Sequence, residues 1–265
     1  MEIGAITQNI DVAQVALYAF WVFFAILIFY IRMEDRREGY PLEADIGGAY
    51  DKDPWLFVPA PKKFVLPHGH GEVSYPDGNR DNANRPVPGE KIASFPGAPY
   101  RPTGENPMLD SIGPGSWAER ADRPDLTHEG EPKIVPMRVA KDFSIAEGET
   151  NPVGMRVVGC DLVVAGKVVD AWIDRSEHML RYLEVETEVG DAPRKVLVPM
   201  NFCVMRNTRD REKIFYVNAI RGEHFAHVPD TKKKTQVTFL EEDKITAYFG
   251  SGLLYATPDR QESIV

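Results

Sequence analysis

Apolar and polar positions divide this chain into three unlike stretches. Residues 12–31 read VAQVALYAFWVFFAILIFYI, in which Gln14 is the one plainly polar side chain. As a helix rising 1.5 Å per residue, this run would extend about 30 Å, the hydrocarbon thickness of a bilayer. Val, Leu, Ile and Phe fill most of it, and their insertion free energies sum to about −4 to −7 kcal/mol, more than one glutamine costs. No Lys or Arg precedes the run, and RMEDRRE follows where a small-residue cleavage site would stand. The pattern therefore predicts a retained single span, not a cleaved leader. Arg32, Arg36 and Arg37 flank its C-terminal end, while Glu2 and Asp11 precede it. The positive-inside rule then puts residues 1–11 outside and everything after the span in the cytoplasm.

Residues 32–132 carry a different pattern. Sixteen of the 21 prolines fall between positions 41 and 136, which excludes long helices and central strands there. Such composition usually marks disorder. Here, however, Trp55, Phe57, Phe64, Val65, Leu66, Tyr75, Phe95, Tyr100, Met108, Leu109 and Trp117 recur through it. We read an extended, mostly irregular segment, ordered by lying on partner subunits and on its own domain.

From residue 133 to 238 the chain reads as strands: MRVVGC, DLVVAGKVVDAWID, MLRYLEVETEV, RKVLVPMNFCVM and KIFYVNAI. Ala165-Gly166 and Gly190-Asp191 read as turns between them, and the spacing predicts a small antiparallel barrel or sandwich. Phe239, Leu240, Ile245, Tyr248 and Phe249 then predict one late helix with Gly250 or Gly252 as its stop, in a final stretch of residues 239–265. The fold class is thus a single N-terminal transmembrane helix and a mainly β cytoplasmic domain closed by a late helix.

Composition narrows the chemistry. A net charge of −9 argues against nucleic acid, whose phosphates need a basic face. Two cysteines, Cys160 and Cys203, make no disulfide framework and fall in strand-like runs as packing residues. Within the span there is no Asp, Glu, Lys, Arg or His, hence no proton relay and no imidazole to ligate a pigment. The domain lacks a G-x-S-x-G elbow, a P-loop, H-E-x-x-H and C-x-x-C. His68-Gly-His70 is two ligands short of a metal site. Lys232-Lys233-Lys234 reads as a solvated loop, or as a contact to anionic lipid headgroups. On these grounds alone the chain is a membrane-anchored interaction module.

RMEDRREGYPLE (residues 32–43) after the span, LPHGHG (66–71), the block NPVGMRVVGCDLVVAGKVVDAWIDRSEHMLRYLEVE (151–186) and LEEDKITAYFGSGLLYA (240–256) resemble the H subunit of the purple-bacterial photosynthetic reaction centre. The middle block also resembles the PRC-barrel domain found in other proteins. The resemblance implies a pigment-free, non-enzymatic subunit of the inner (intracytoplasmic) membrane with its N-terminus periplasmic. Its partners would be the L and M subunits, which hold the bacteriochlorophyll, bacteriopheophytin, quinones and iron. Membrane lipids, a cytochrome subunit and the core light-harvesting ring are further partners it admits. The cytoplasmic domain would stabilise the complex, shield the acceptor quinones and help deliver protons to the secondary quinone. Asp174 and Glu177 match the family's acidic positions near that proton route, and Arg181 a basic one; read without the resemblance, Asp174 and Glu177 are turn residues. Glu129 and Glu131 stand where relatives carry surface histidines, with His128 beside them, so these three, with His68, are the remaining proton-transfer candidates and no metal site is expected. The competing reading is a membrane-tethered PRC-barrel adaptor with no photosynthetic role.

Overall fold

The structure, a computed structural model, describes residues 4–7, 10–40, 58–77 and 88–261. Trp55, Phe57 and the Pro41–Glu43 end of the REGYPLE motif lie outside the described residues. The chain forms two compact units, Met1–Ala83 and Asn84–Val265.

The first unit is built on helix α1, Val12–Glu34. Asp11 starts it with a reciprocal cap: its carboxylate accepts the Gln14 N–H at 2.7 Å while Gln14 Oε1 accepts the Asp11 N–H at 3.2 Å. The single polar side chain of the span is thereby used at its end. None of the helix is buried within the chain, as an apolar helix meant for lipid and partners would be. The helix passes into a 3₁₀ turn, Asp35–Arg37. Arg37 there grips Glu34 and donates to the carbonyls of Ala60 (2.8 Å) and Tyr75 (3.2 Å). It so ties the helix end to a small antiparallel hairpin of β1 (Lys62–Val65) and β2 (Glu72–Tyr75).

The second unit opens with the hairpin β3 (Gly89–Lys91) and β4 (Tyr100–Pro102) and 3₁₀ turns at Pro107–Leu109 and Gly113–Gly115. The later part of the proline-rich segment thus belongs to the same unit as the main sheet. Met108 is buried, while Phe95, Tyr100 and Leu109 are exposed. The sheet comprises β5 (Ile134–Pro136), β6 (Arg156–Val158), β7 (Val164–Asp174), β8 (Met179–Thr187), β9 (Lys195–Pro199), β10 (Cys203–Asn207) and β11 (Lys213–Val217). Its order is β10–β11–β6–β7–β8–β9, with β5 pairing along the far end of β7. The two edge strands, β9 and β10, are consecutive in the chain, joined by the turn Met200–Phe202. A sheet whose edges are held three residues apart must curl towards a barrel, and irregularities at Val157/Val158, Val168/Asp170 and Trp172/Ile173 add the necessary twist. All pairings are antiparallel except β11 with β6, which are parallel; the long connection between these strands permits it.

Helix α2, Phe239–Tyr255, is capped by Thr238, whose hydroxyl accepts the Glu241 N–H at 3.2 Å while Glu241 Oε2 accepts the Thr238 N–H at 2.9 Å. Its Ile245, Tyr248 and Phe249 enter the core beside Val157, Val168, Trp172, Leu183, Val196 and Phe225.

Three local expectations are corrected. Ala165-Gly166 is no turn but lies inside β7; the turn is Gly159–Val163, closed by Val163 O and Gly159 N at 3.0 Å. A Cβ at Gly166 would come 2.0 Å from the Glu186 carbonyl oxygen, so this glycine lets β7 and β8 approach. Gly250 and Gly252 do not stop α2, which runs to Tyr255. A Cβ at Gly252 would sit 2.4 Å from Ile220 Cγ2 and 2.6 Å from Ala219 O, so it is a packing glycine. Cys160 lies in the turn after β6, not in a strand, and both cysteines are half-buried and free. Burial pushes the Cys203 thiol up to about 12.

Candidate functional site

A polar cleft of about 390 Å³ opens where the ends of β5, β7 and β8 meet the start of α2. Arg120, Asp125, Lys133, Asp174, Glu177, Arg181 and Glu242 line it, with Ile134, Met179 and Phe239 as its apolar wall. Three of the sequence candidates, Asp174, Glu177 and Arg181, meet here.

Asp174 is the last residue of β7 and is buried. Its Oδ1 accepts the backbone N–H groups of Ser176 and Glu177, both at 2.9 Å, which bends the chain into β8. Its Oδ2 faces Lys133 Nζ at 3.5 Å, and the same ammonium lies 3.7 Å from Asp125 Oδ2. Asp174 is therefore a turn residue and a cleft carboxylate at once. Glu177, one turn further on, is exposed.

Glu242, in the first turn of α2, was missed by the sequence reading. Its Oε2 accepts the Tyr182 hydroxyl at 2.8 Å and stands 3.7 Å from Arg181 Nη2. Burial raises its pKa, against the lowering effect of Tyr182 and Arg181. Burial, and then the Glu242 charge, raise the Tyr182 phenol, which keeps its proton and stays the donor. Glu242, Asp125, Lys133 and Arg120 could not be found from spacing, since tens of residues separate them from Asp174 and Glu177.

His128, Glu129 and Glu131 sit together on an exposed turn held by Thr127 N to Glu131 O (2.8 Å) and Gly130 N to Thr127 O (3.0 Å). The stem of this turn is Asp125 and Lys133, joined by Lys133 N to Asp125 O at 2.8 Å, and both stem residues line the cleft. Glu131 lies 3.9 Å from Arg175. Glu129 is held below the usual carboxylate range, chiefly by its own backbone N–H, and stays ionised. His68 belongs to the other unit, in the turn between β1 and β2. Among the described residues no cluster of three or more His, Cys, Asp or Glu side chains is placed to hold a metal ion.

Residues 4–139 match the family model described as photosynthetic reaction centre, H-chain N-terminal region. That is more than half the chain and takes in the span, the proline-rich segment and β5. The chain belongs to the reaction-centre H-chain family. Residues 147–224 match the PRC-barrel domain, which covers β6 to β11 of this H chain. The first match decides between the two readings of the sequence, because a barrel alone would also suit an adaptor. The H chain is thus a subunit of a photosynthetic reaction centre that associates with the core subunits, and Val12–Arg37 is its one candidate membrane-spanning helix among the described residues.

The raised Glu242 pKa has a stability consequence. Below about pH 4, the ordinary glutamate range, Glu242 is neutral in folded and unfolded chains alike. As pH rises the unfolded chain loses this proton first, so the native state holds more protons and is progressively destabilised until its own raised pKa is passed. Glu242→Gln removes that loss. We expect the variant to gain stability relative to the parent between about pH 4 and neutrality, read from denaturant midpoints at each pH; a constant difference would contradict the burial effect.

Proposed function

We propose that this H chain caps the quinone-bearing side of the L and M subunits, shields the acceptor quinones from bulk water and passes protons to the secondary quinone. In this reading residues 1–11 are periplasmic, residues 12–31 anchor the chain in the inner (intracytoplasmic) membrane, residues 32–132 lie along the partner subunits, and the 133–238 domain with its 239–265 helix and tail is cytoplasmic. The bacteriochlorophyll, bacteriopheophytin, quinones and iron belong to L and M. A cytochrome subunit, the core light-harvesting ring and lipids are further neighbours.

The observation that carries the proposal is the Asp125–Lys133–Asp174–Glu177–Arg181–Glu242 cleft at the root of the His128–Glu131 turn. A quinone that accepts two electrons takes up two protons to become quinol. A site dry enough to protect it has no bulk water to supply them, so ionisable side chains must carry them in. Exposed His128 and Glu131 can gather protons at the turn, and Glu177 stands at the cleft mouth. Glu242, biased by burial towards the protonated form, can hold a proton on its carboxyl, while Arg181 and Lys133 keep the neighbouring carboxylates in place. His68 is assigned to the same work as a surface proton acceptor.

The test is removal and return of the chain. Core stripped of this subunit should show slow proton-coupled second reduction of the quinone, and adding the intact chain back should restore the rate. Equal rates with and without it would contradict the proposal.

A further inference from the structure

We infer that residues 106–127 are a docking segment that binds α2 and the barrel core by its own contacts, and that it stays seated when the chain is cut in the turn that follows it. The segment runs along α2, a helix that lies beyond the stretch matching the barrel domain. At one end of the contact the helix offers three small residues, Gly250-Ser251-Gly252, as a seat. The turn Gly113–Gly115 sits on the first two. A Cβ at Gly250 would come 3.1 Å from Pro114 O, and a Cβ at Gly115 would come 2.7 Å from Ser251 Oγ and 3.0 Å from Ser251 Cβ. Gly115 does not adopt a left-handed φ, so close approach alone calls for glycine there. Gly252 faces the other way, against Ala219 and Ile220 just after β11. The helix is thus gripped at one narrow waist, by the segment on one side and the barrel on the other.

At the other end the contact is polar and directed. The Phe239 N–H donates to Arg123 O at 3.1 Å, and the Ala118 N–H donates to Asp243 Oδ2 at 3.2 Å. Arg120 lies over the Phe239 ring at 4.7 Å and stands 3.6 Å from Asp243 Oδ1. Asp122 accepts the Thr238 hydroxyl at 3.0 Å and pairs with Lys232. Ahead of the Gly113–Gly115 turn, Met108 is buried in the same core cluster as Ile245 and Phe249. An apolar anchor, a close-packed centre and a rim of directed polar contacts are what separate chains use to bind one another. None of these contacts depends on the covalent link to the barrel, which runs on through the exposed turn at His128–Gly130.

The test uses membranes that hold the full chain without core subunits, so that no other protein of the complex retains the barrel. A specific protease site is inserted between Glu129 and Gly130, and the cut membranes are washed. The piece after the cut is expected to stay with the membrane-anchored piece. Gly115→Val, which drives a side chain into Ser251, should release it about tenfold faster, as overpacking a close contact does. Asp122→Ala, at the polar end, should release it about threefold faster, the size of a lost hydrogen bond. The uncut Gly115→Val chain is checked for a cooperative melt; if it has none, Asp122→Ala alone decides. Immediate loss of the parent's second piece on cutting, or retention that neither variant shortens, would overturn the inference.

Discussion

Arg138→Met is expected to destabilise the second unit by about 2–4 kcal/mol. Arg138 Nη1 donates to Asp170 Oδ2 at 2.7 Å and to Glu184 Oε2 at 2.6 Å, and Nη2 donates to the Lys234 carbonyl. Both carboxylates are buried, so removing the guanidinium leaves two charges in a poorly solvated place. Breaking a fully buried pair costs about 3–5 kcal/mol. The figure here is lower because Arg138 keeps 39% of its side chain in water, and Glu184 retains Lys195 Nζ at 3.7 Å. Burial alone would lower the Arg138 pKa, yet its hydrogen bonds to Glu184 and Asp170 raise it, as a cation held by two anions requires. Thermal and denaturant unfolding of the parent and variant chains measure the loss; a change under about 0.5 kcal/mol, the range of ordinary surface substitutions, would show that the network is not structural.

Trp172→Ala should cost as much or more, about 3–5 kcal/mol, by opening a cavity in the core. Trp172 is 1% exposed and lies in β7 among Val168, Leu183 and Val196. Its indole also donates to Glu184 Oε2 at 2.8 Å, the same oxygen that Arg138 holds. The two substitutions therefore share a partner and will not add. A double-mutant cycle should give a coupling of about 1 kcal/mol or more, whereas residues without a shared partner add to within about 0.5 kcal/mol. Additivity would mean that the indole N–H contributes nothing and that Trp172 acts by volume alone.

How far the sequence could be read follows from the range of each interaction. The span was legible because twenty apolar residues in a row leave a bilayer few alternatives, and the capping of α1 by Asp11 and Gln14 is likewise local. The strands of the main sheet were legible from β-branched runs. Gly166, Gly250 and Gly252 were misread because a glycine that ends an element and one that admits a close neighbour look alike in one dimension; only the nearness of Glu186, Pro114 and Ile220, respectively, separates them. The cleft was half legible. The resemblance, not the spacing, pointed to Asp174, Glu177 and Arg181, which lie on one turn and the strand that follows it. Lys133, Asp125 and Glu242 come from other elements, and Glu242 gains its character from burial, which outweighs the hydrogen bond from Tyr182. The parallel pairing of β11 with β6 has no local mark at all.

The most direct measurement is the rate of second quinone reduction, with the proton uptake that accompanies it, in reaction centres carrying Asp174→Asn, Glu177→Gln and Glu242→Gln together. Assembly should be largely retained, because amides keep the shapes and most hydrogen bonds of the carboxyls they replace. We predict that both rates fall together, by at least tenfold at pH 7.5 and above, where bulk protons are scarce. Rates equal to those of the parent complex from pH 6 to 9 would contradict the assignment of this cleft to proton delivery.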